Sequence, residues 1–206
     1  MTKSSFNNRL WNFSNRQVYR IKDGFSNWIT YLICRFRCIP IGREIRFVGI
    51  PKLNIANGGN ITIGNGCCFL SRTTSNNIGL NHKCILSATP YQEGLDCSLV
   101  IGNNCGFSGV SIWCFLSVKI GNNVRVGANV LIMDGDAHFE DPRTSAPRPI
   151  VIEDGVFIGA NVVIKKGVTI GTNSVIGMNS IVTHNVPSNS VAVGNPCRVI
   201  GKIEVV

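Results

Sequence analysis

Charged side chains are scarce in this sequence, and long apolar runs are absent. Charged residues make up 15% of the 206 positions, and no run approaches the roughly 20 apolar residues that a membrane-spanning helix needs. The N-terminal stretch MTKSSFNNRLWNFSNRQ is polar and lacks the apolar core of a signal peptide. We therefore expect a cytoplasmic protein with one well-buried domain and no transmembrane helix.

Metal-ligand and disulfide patterns are also missing. The nine cysteines are irregularly spaced and include no CxxC pair, so neither a zinc site nor a disulfide framework is indicated. Several of them, such as Cys105, fall where a repeat would take a small apolar residue. We predict no bound metal, and we expect the cysteines to be reduced and to serve as small core residues.

Negative charge is in short supply, which leaves a formal net charge of +9. This excess favours an acidic partner: nucleic acid, an anionic membrane surface or a phosphorylated small molecule. Nucleic acid is not expected, because the basic residues are scattered and no nucleic-acid-binding motif is present. Two local concentrations of basic residues stand out: Arg35, Arg37, Arg43 and Arg46 near the N-terminus, and Arg198 with Lys202 near the C-terminus.

A six-residue period is the dominant positive feature. An aliphatic residue recurs at every sixth position, Gly often follows it, and a small or β-branched residue comes four places after it. The aliphatic positions are Ile152, Ile158, Ile164, Ile170, Ile176 and Val182. This period is the signature of the hexapeptide β-helix, in which the aliphatic side chains point inward and stack coil upon coil. We predict an all-β fold, a left-handed parallel β-helix over residues 41–203.

A degenerate form of the same repeat covers residues 41–132. Ile63, Ile101 and Ile120 are each followed by Gly-Asn. The spacing from Ile101 to Ile120 is one more than a multiple of six, so a turn between them must hold an extra residue. The Gly-Asn and Asn-Asn pairs suit corners at which the backbone takes left-handed angles.

Residues 1–40 lack the repeat and are predicted to form a short helical segment. Ser26 is a candidate N-cap, and the helix should end before Pro40. Its apolar positions recur at helical spacing: Ile29, Leu32, Ile33 and Phe36. We expect this helix to cover the open end of the solenoid. The alternative is an amphipathic element that lies on the inner face of an anionic membrane, with Arg35 and Arg37 at the headgroups.

The repeat breaks between Met133 and Pro149 and resumes in frame afterwards. This segment, residues 133–149, holds three prolines, four carboxylates and His138. Polar interruptions of this length in a regular fold are typical sites of function. An imidazole with carboxylates nearby can act as a general base at neutral pH. The plain alternative is a solvated acidic loop that happens to contain a histidine.

Four stretches of the sequence resemble the hexapeptide acyltransferases, which are left-handed β-helix enzymes. They are SGVSI at 108–112, DGDAHFEDPR at 134–143, VFIGA at 156–160 and VPSNSVAVGNPCRVI at 186–200. The likeness runs from about Ile101 to Ile203 and is nearest to the branch with maltose, galactoside and polysaccharide O-acetyltransferases. It implies a homotrimer that binds acetyl-CoA in a groove between coils and uses no metal.

The resemblance also implies roles for individual residues. His138 matches the catalytic base, which takes the proton of an acceptor hydroxyl as the oxygen attacks the thioester. Asp136 is expected to orient this imidazole, with Asp134 as the second choice. Phe157 stands where the family often has Trp. It would line the pantetheine path together with Gly159 and Ala160, the last two residues of VFIGA.

Further positions match the nucleotide end of the cofactor site. Thr183 and His184 stand at a family Thr-Lys pair near the CoA phosphates, so a histidine replaces a permanent cation. Arg198 matches the arginine that meets the nucleotide phosphate, and Lys202 is expected to assist it.

The acceptor region departs from the free-sugar enzymes of the family. Where those enzymes carry an Asn and an Asp, this chain has Ser108 and Ser111 among aromatic residues. The two serines are our candidate acceptor contacts. The aromatic surroundings favour a larger glycan or a lipid-linked saccharide over free maltose.

We therefore predict an acetyl-CoA-dependent O-acetyltransferase that acts on a sugar hydroxyl in surface-polysaccharide biosynthesis. An antibiotic acetyltransferase with the same base and cofactor groove is one alternative, and a non-catalytic β-helix scaffold is another. A gamma-class carbonic anhydrase shares the fold, but it binds metal through a close pair of histidines that this chain lacks.

Overall fold

The computed structural model describes residues 21–204, which form one helix followed by a β-solenoid. Helix α1 covers residues 21–36. The strands after it are β1 (Arg46–Val48), β2 (Lys52–Ile55), β3 (Gly59–Ile63), β4 (Cys68–Leu70), β5 (Ile85–Ala88), β6 (Cys97–Ile101), β7 (Gly106–Ser108), β8 (Ser111–Cys114), β9 (Ser117–Ile120), β10 (Arg125–Ala128), β11 (Leu131–Met133), β12 (Ile150–Ile152), β13 (Phe157–Ile158), β14 (Val163–Lys165), β15 (Thr169–Ile170), β16 (Val175–Ile176), β17 (Ile181–Val182), β18 (Ser190–Gly194) and β19 (Cys197–Lys202).

The strands form three sheets, which make the three faces of a prism. Sheet B has the order β1-β4-β7-β10-β13-β16-β18-β19, sheet C the order β17-β14-β11-β8-β5-β2, and sheet A the order β15-β12-β9-β6-β3. From β1 to β17, successive strands of the chain pass from B to C to A, and each pairs in parallel with its counterpart in the next coil. The chain then returns to sheet B, where β18 pairs in parallel with β16 and antiparallel with β19. The predicted left-handed parallel β-helix is confirmed.

The six-residue period is the inward column of the solenoid. The register stacks Ile152 on Ile170 and Ile158 on Ile176. Burying one such side chain stabilises the fold by about 1.5–3 kcal/mol. All of the aliphatic repeat positions from 152 onward are fully buried: Ile152, Ile158, Ile164, Ile170, Ile176 and Val182.

Aromatic and sulfur side chains fill the same interior where the repeat is degenerate. Phe69 stacks on Phe47 and on Phe107 in neighbouring coils, with ring centroids 5.3 and 4.9 Å apart. All the cysteines except Cys38 and Cys68 are buried, and all nine are free thiols. The prediction that the cysteines serve as small core residues is confirmed for the buried ones.

The corners take left-handed backbone angles, as the Asn-rich turns predicted. Asn104 and Asn123, each the second residue of an Asn-Asn pair, have φ values of 56° and 57°. Their neighbours form a ladder from coil to coil, in which the Asn103 side-chain N–H donates to Asn122 Oδ1 over 3.0 Å. Asn tolerates this conformation better than other side chains that carry a Cβ atom.

One corner, where the chain passes from sheet C to sheet A, carries three adjacent departures from the repeat. We call it the C–A corner. Residues 89–96 link β5 to β6 there, residues 115–116 link β8 to β9, and residues 134–149 link β11 to β12. The extra residue predicted between Ile101 and Ile120 lies in the second of these links. Because β5, β8 and β11 are neighbours in sheet C, the three links are neighbours at the corner.

Helix α1 lies against the first coil of the solenoid, as a covering role requires. The Phe47 N–H donates to Asn27 Oδ1 over 2.6 Å, and Cys34 is fully buried. The N-cap prediction for Ser26 is wrong: the helix begins further upstream, and the Ser26 hydroxyl donates to the Lys22 carbonyl over 2.8 Å. Residues 1–20 of the predicted helical segment lie outside the described residues. Within residues 21–204, no helix is long and apolar enough to cross a membrane.

Candidate active site

The loop of residues 134–149 is tied to the solenoid at its root by Asp134. This carboxylate is fully buried and accepts backbone N–H bonds from Phe115 (2.7 Å), Leu116 (2.9 Å) and Ser117 (2.7 Å). Burial raises the pKa of Asp134, and the three hydrogen bonds act in the opposite direction. The side chain thereby fixes the loop to the neighbouring 115–116 link.

A second anchor joins the middle of the loop to the next coil. Lys166, which follows β14, is only 8% exposed. Its ammonium group forms an ion pair with Asp136 and donates to the carbonyl and the hydroxyl of Ser145, both over 2.7 Å. The hydrogen bond from Lys166 is the main cause that lowers the pKa of Asp136. Two segments of the loop are therefore held by one buried cation.

His138 lies on the solvent side of this anchored loop. Its ring is exposed, and Nδ1 is 3.4 Å from Glu140 Oε1. The residue before it, Ala137, has φ 69°, so the backbone reverses there. The carbonyl of His138 accepts a hydrogen bond from the Thr144 hydroxyl over 2.9 Å. The imidazole is thus presented outward by a turn that hydrogen bonds within the loop stabilise.

Asp136, which the sequence predicts to orient His138, forms an ion pair with the buried Lys166 in the structure. The second choice, Asp134, is also occupied, since its oxygens accept backbone N–H bonds. Glu140 is the carboxylate nearest to the imidazole among the contacts described. Sequence proximity alone did not reveal this, because each of the four loop carboxylates is within a few positions of His138.

An aromatic cluster, formed by Tyr91, Trp113, Phe115 and Phe139, lies at the C–A corner beside the loop. Ring centroids are 5.6 Å apart for Tyr91 and Phe139, 4.9 Å for Phe115 and Phe139, and 4.7 Å for Trp113 and Phe115. Gly135 packs between two of these rings: a Cβ atom there would be 2.7 Å from Phe115 and 2.9 Å from Phe139. Trp113 is 40% exposed, so the cluster presents an aromatic surface to solvent.

Sequence reasoning missed Tyr91 and Phe139 as members of this surface. A usable signal was present, because aromatic residues occur in each of the three segments that depart from the repeat. To predict the cluster from these aromatic residues, one must also know that all three segments leave the solenoid at the same corner.

The two candidate acceptor serines lie on different faces. Ser108, on sheet B, lines a cavity of about 200 Å³ with Phe157 and Gly127. Ser111, on sheet C, lines a groove of about 440 Å³ with Trp113 and Lys52. The structure therefore does not place both serines in one acceptor site of a single protomer. Ser111 shares its groove with the aromatic cluster through Trp113, whereas Ser108 lies beside the candidate pantetheine residues.

The candidate pantetheine residues follow one another along sheet B. Phe157 is 51% exposed on β13, while Ala160 is 8% exposed and packs with Leu80. Gly159 is forced by close packing, since a Cβ atom there would be 2.5 Å from the backbone nitrogen of Met178. Sheet B is the face opposite the C–A corner of the prism. Within one protomer, these residues and His138 therefore lie on different sides.

The candidate phosphate-binding residues are brought together more closely. His184 and Arg198 line one cavity of about 270 Å³, and the Thr183 hydroxyl is 2.9 Å from His184 Nδ1. In sheet C, Ile132 of β11, Ile164 of β14 and Val182 of β17 are aligned. His184 follows Val182 by two residues, just as Lys166 follows Ile164 in the coil before it. His184 therefore lies on the C–A corner as well. Lys202 is four residues beyond Arg198 on β19 and does not line this cavity.

Residues 21–204 contain no cluster of three or more His, Cys, Asp or Glu side chains that is arranged to hold a metal ion.

Comparison with known proteins agrees with this architecture. Residues 149–184 match the family profile described as the hexapeptide repeat of succinyl-transferase. The chain carries the hexapeptide repeat. Galactoside O-acetyltransferase of Escherichia coli K12 is 48% identical to it over 91 residues, which are 42% of this chain and 45% of that protein. The galactoside O-acetyltransferase of Lactococcus lactis is 43% identical over 91 residues, 42% of this chain and 44% of that protein. This hexapeptide-repeat chain spans less than half the length of those two relatives.

Solved structures extend the likeness over most of the chain. A maltose O-acetyltransferase from Clostridium difficile 630 has a TM-score of 0.53 and 25% identity, and the match covers 93% of this chain and 91% of that one. An N-acyltransferase from Bacillus cereus, solved with dTDP and 3-hydroxybutyryl-CoA, has a TM-score of 0.64 at 15% identity, over 84% of this chain and 88% of that one. The second likeness shows the fold alone.

Proposed function

We propose that this hexapeptide-repeat protein is an acetyl-CoA-dependent O-acetyltransferase that acetylates a sugar hydroxyl during the assembly of a surface glycan. The observation that carries the proposal is the C–A corner. There the anchored loop with His138, the aromatic cluster and His184 follow one another along one edge of the solenoid, and His184 lines a cavity with Arg198 of β19. The galactoside and maltose O-acetyltransferases among the relatives support the choice of a sugar acceptor.

In the proposed reaction, His138 is the general base. Its imidazole removes the proton of the acceptor hydroxyl as the oxygen attacks the thioester carbonyl of acetyl-CoA. The carbon–sulfur bond then breaks, and the leaving thiolate takes the proton from the imidazolium. Glu140, next to Nδ1, suits the role of holding that nitrogen as a donor, which leaves Nε2 to receive the proton. Neither a metal nor a covalent enzyme intermediate is required.

Two groups of residues suit the two ends of the cofactor. His184 and Arg198 line a cavity that fits the phosphate end, since Arg binds phosphate through paired N–H donors. Phe157, which is 51% exposed, offers an apolar wall to the pantetheine arm. Phe157 lies on sheet B and His138 lies at the opposite C–A corner, so one protomer cannot supply both residues to one site.

This separation supports the proposed homotrimer. In a threefold assembly, sheet B of one protomer can lie against the C–A corner of the next, which brings Phe157 toward the partner's His138 loop. Each site would then take residues from two protomers.

The acceptor is proposed to be a glycan. The exposed Trp113 can stack on a sugar ring, and the adjoining groove offers the polar side chains of Lys52, Asn54, Ser87 and Ser111 to hydroxyl groups. An antibiotic acceptor would use the same base and cofactor groove. The two kinds of acceptor are distinguished by measuring acetyl transfer in competition between a panel of saccharides and a panel of aminoglycosides and streptogramins.

The first experiment measures acetyl-CoA binding by calorimetry and thiol release with and without acceptor. We expect binding in the wild type and in His138→Ala, with acceptor-dependent thiol release lost only in the variant. His82→Ala is the matched control, because His82 lies in the separate 72–83 segment. Absence of binding at millimolar acetyl-CoA overturns the proposal and favours a scaffold.

A mixing experiment tests the shared site. His138→Ala and Phe157→Asp each inactivate the protein on their own if both residues serve catalysis. When the two are refolded together, mixed trimers contain some sites with both native residues, and we expect partial recovery of thiol release. No recovery from mixtures that native mass spectrometry shows to contain hybrid trimers contradicts the shared site.

A further inference from the structure

Helix α1 carries large apolar side chains on the side that faces solvent as well as on the side that packs on the solenoid. On the face it turns to the solenoid, Ser26, Thr30 and Cys34 are buried, at 8%, 0% and 0% exposure, and Tyr31 and Ile33 pack against the core. Other large apolar side chains point away from the solenoid. Burial of apolar area is the usual reason for a helix to pack, so the outer face of this helix requires its own explanation.

The outer face carries a continuous apolar stripe, which we call the α1 stripe. Its members follow one another at spacings of three or four residues, which places them on one side of a helix. Four of them are exposed by more than half: Ile21 at 74%, Phe25 at 61%, Trp28 at 61% and Phe36 at 85%. Leu32, which is partly buried, completes the stripe. Scattered exposed apolar residues are normal, but a contiguous stripe of this size marks an interaction surface.

The charges beside the α1 stripe are all positive or paired. Lys22, Arg35 and Arg37 are exposed at its two ends. Asp23 is the only carboxylate in residues 21–37, and it forms an ion pair with Arg72. The stripe is therefore bordered by cations without an opposing free carboxylate on the helix.

An apolar cavity opens between the α1 stripe and the first coil. It measures about 410 Å³ and is lined by Trp28, Tyr31, Leu32, Arg35, Ile39 and Ile41. Its wall is apolar except at Arg35 and the Tyr31 hydroxyl. A hydrocarbon chain with an anionic head beside the guanidinium fits this chemistry.

We infer that helix α1 lies on an anionic lipid surface and holds the protein at the cytoplasmic face of a membrane. A helix in the interface buries an apolar face among the acyl chains and sets Lys and Arg against the phosphates. A second copy of the chain is a poorer occupant, because antiparallel pairing of two stripes would bring Lys22 of one helix toward Arg35 of the other. The inference does not depend on acetyl transfer, and its test uses no substrate.

The test is flotation of the full-length protein with vesicles of pure phosphatidylcholine and of an equimolar mixture with phosphatidylglycerol. We expect binding to the mixed vesicles only, and weakening at high salt. The double variant Phe25→Ser/Trp28→Ser should bind at least about tenfold more weakly, because it loses two aromatic anchors. Ile78→Ser, which removes an apolar side chain 70% exposed in another segment, should bind like the wild type.

Several results overturn the inference. Failure of the wild type to float with the mixed vesicles does so, as does unchanged binding of the double variant. If the double variant has a lower Tm than the wild type and the wild type does not bind vesicles, other residues of the chain cover the stripe. If the double variant forms a smaller oligomer than the wild type in light scattering, a second copy of the chain covers it. Thiol release is measured in parallel on the same proteins. It tests the proposed enzymatic function separately, so failure of membrane binding and failure of acetyl transfer are distinguishable.

Discussion

Lys166 and Asp136 form an ion pair between two neighbouring coils, with the ammonium end on the buried side. The side chain of Lys166 is 7% exposed and that of Asp136 is 29% exposed. A buried ammonium group must be neutralised and hydrogen-bonded, and the loop that carries His138 supplies all the partners described for it. The position of this loop is thus coupled to the burial of one cation.

We expect Lys166→Met to loosen the loop and lower stability. It leaves Asp136 and the Ser145 carbonyl without their donor, so the free energy of unfolding should fall by about 1–3 kcal/mol. Urea unfolding measures this loss, and kcat in the thiol-release assay should fall with little change in KM for acetyl-CoA. Lys165→Met is the matched control, since Lys165 is exposed one position earlier. Equal effects of the two substitutions would contradict the anchoring role.

The same ion pair predicts a pH dependence of stability. The pKa of Asp136 is lowered in the folded state, chiefly by the hydrogen bond from Lys166. The folded protein therefore binds the Asp136 proton less readily than the unfolded chain does. The stability from this pair is present above the ordinary aspartate pKa of about 3.9 and is lost as pH falls below it.

Unfolding measured from about pH 6 down to about pH 3, a range that includes the ordinary aspartate pKa of about 3.9, tests this expectation. The difference in stability between wild type and Asp136→Asn should shrink toward the acid end of the range. A difference that stays constant with pH would show that the charge on Asp136 does not contribute.

Asp134 holds the loop root through three backbone donors, and Asp134→Asn should weaken that contact. The amide has one acceptor oxygen, and its NH₂ group faces N–H donors that then lack a partner. We expect a loss of about 1–3 kcal/mol in the free energy of unfolding. Asp141→Asn is the control within the same loop, because Asp141 pairs with the exposed Arg143 side chain. Asp134→Asn with wild-type stability would show that the 115–116 link is held by other contacts.

His184 occupies a cavity with Arg198, and His184→Lys should strengthen CoA binding. Lysine keeps its positive charge through the neutral range, whereas histidine as a class carries it only in part. One added charge near exposed phosphates is expected to lower Kd about two- to fivefold. Calorimetry with CoA measures the change, and Lys202→Gln, outside this cavity, should alter Kd less than Arg198→Gln does.

Much of the fold followed from local chemistry. The six-residue period, the Asn-rich corners and the inward aliphatic column are properties of short segments, and the structure has them where the repeat predicts. The interruption at 133–149 was also visible, because it breaks a strict period and leaves the frame intact.

The partners of the loop carboxylates were not visible in the same way. Asp134 contacts residues 17 to 19 positions earlier, and Asp136 contacts a lysine 30 positions later. Which carboxylate faces His138 therefore depends on what lies in the coils above and below the loop. Local spacing carries no information on those distances.

The sequence by itself determined that this chain is a hexapeptide-repeat solenoid with one inserted histidine loop, because each hexad encodes its own strand, turn and inward side chain. Only the tertiary structure decided that Tyr91, Phe115 and Phe139 share one corner, that Lys166 binds Asp136, and that helix α1 turns Phe25, Trp28 and Phe36 outward. The physical reason is that insertions of unequal length obey no period. Their side chains are placed by burial and charge across neighbouring coils.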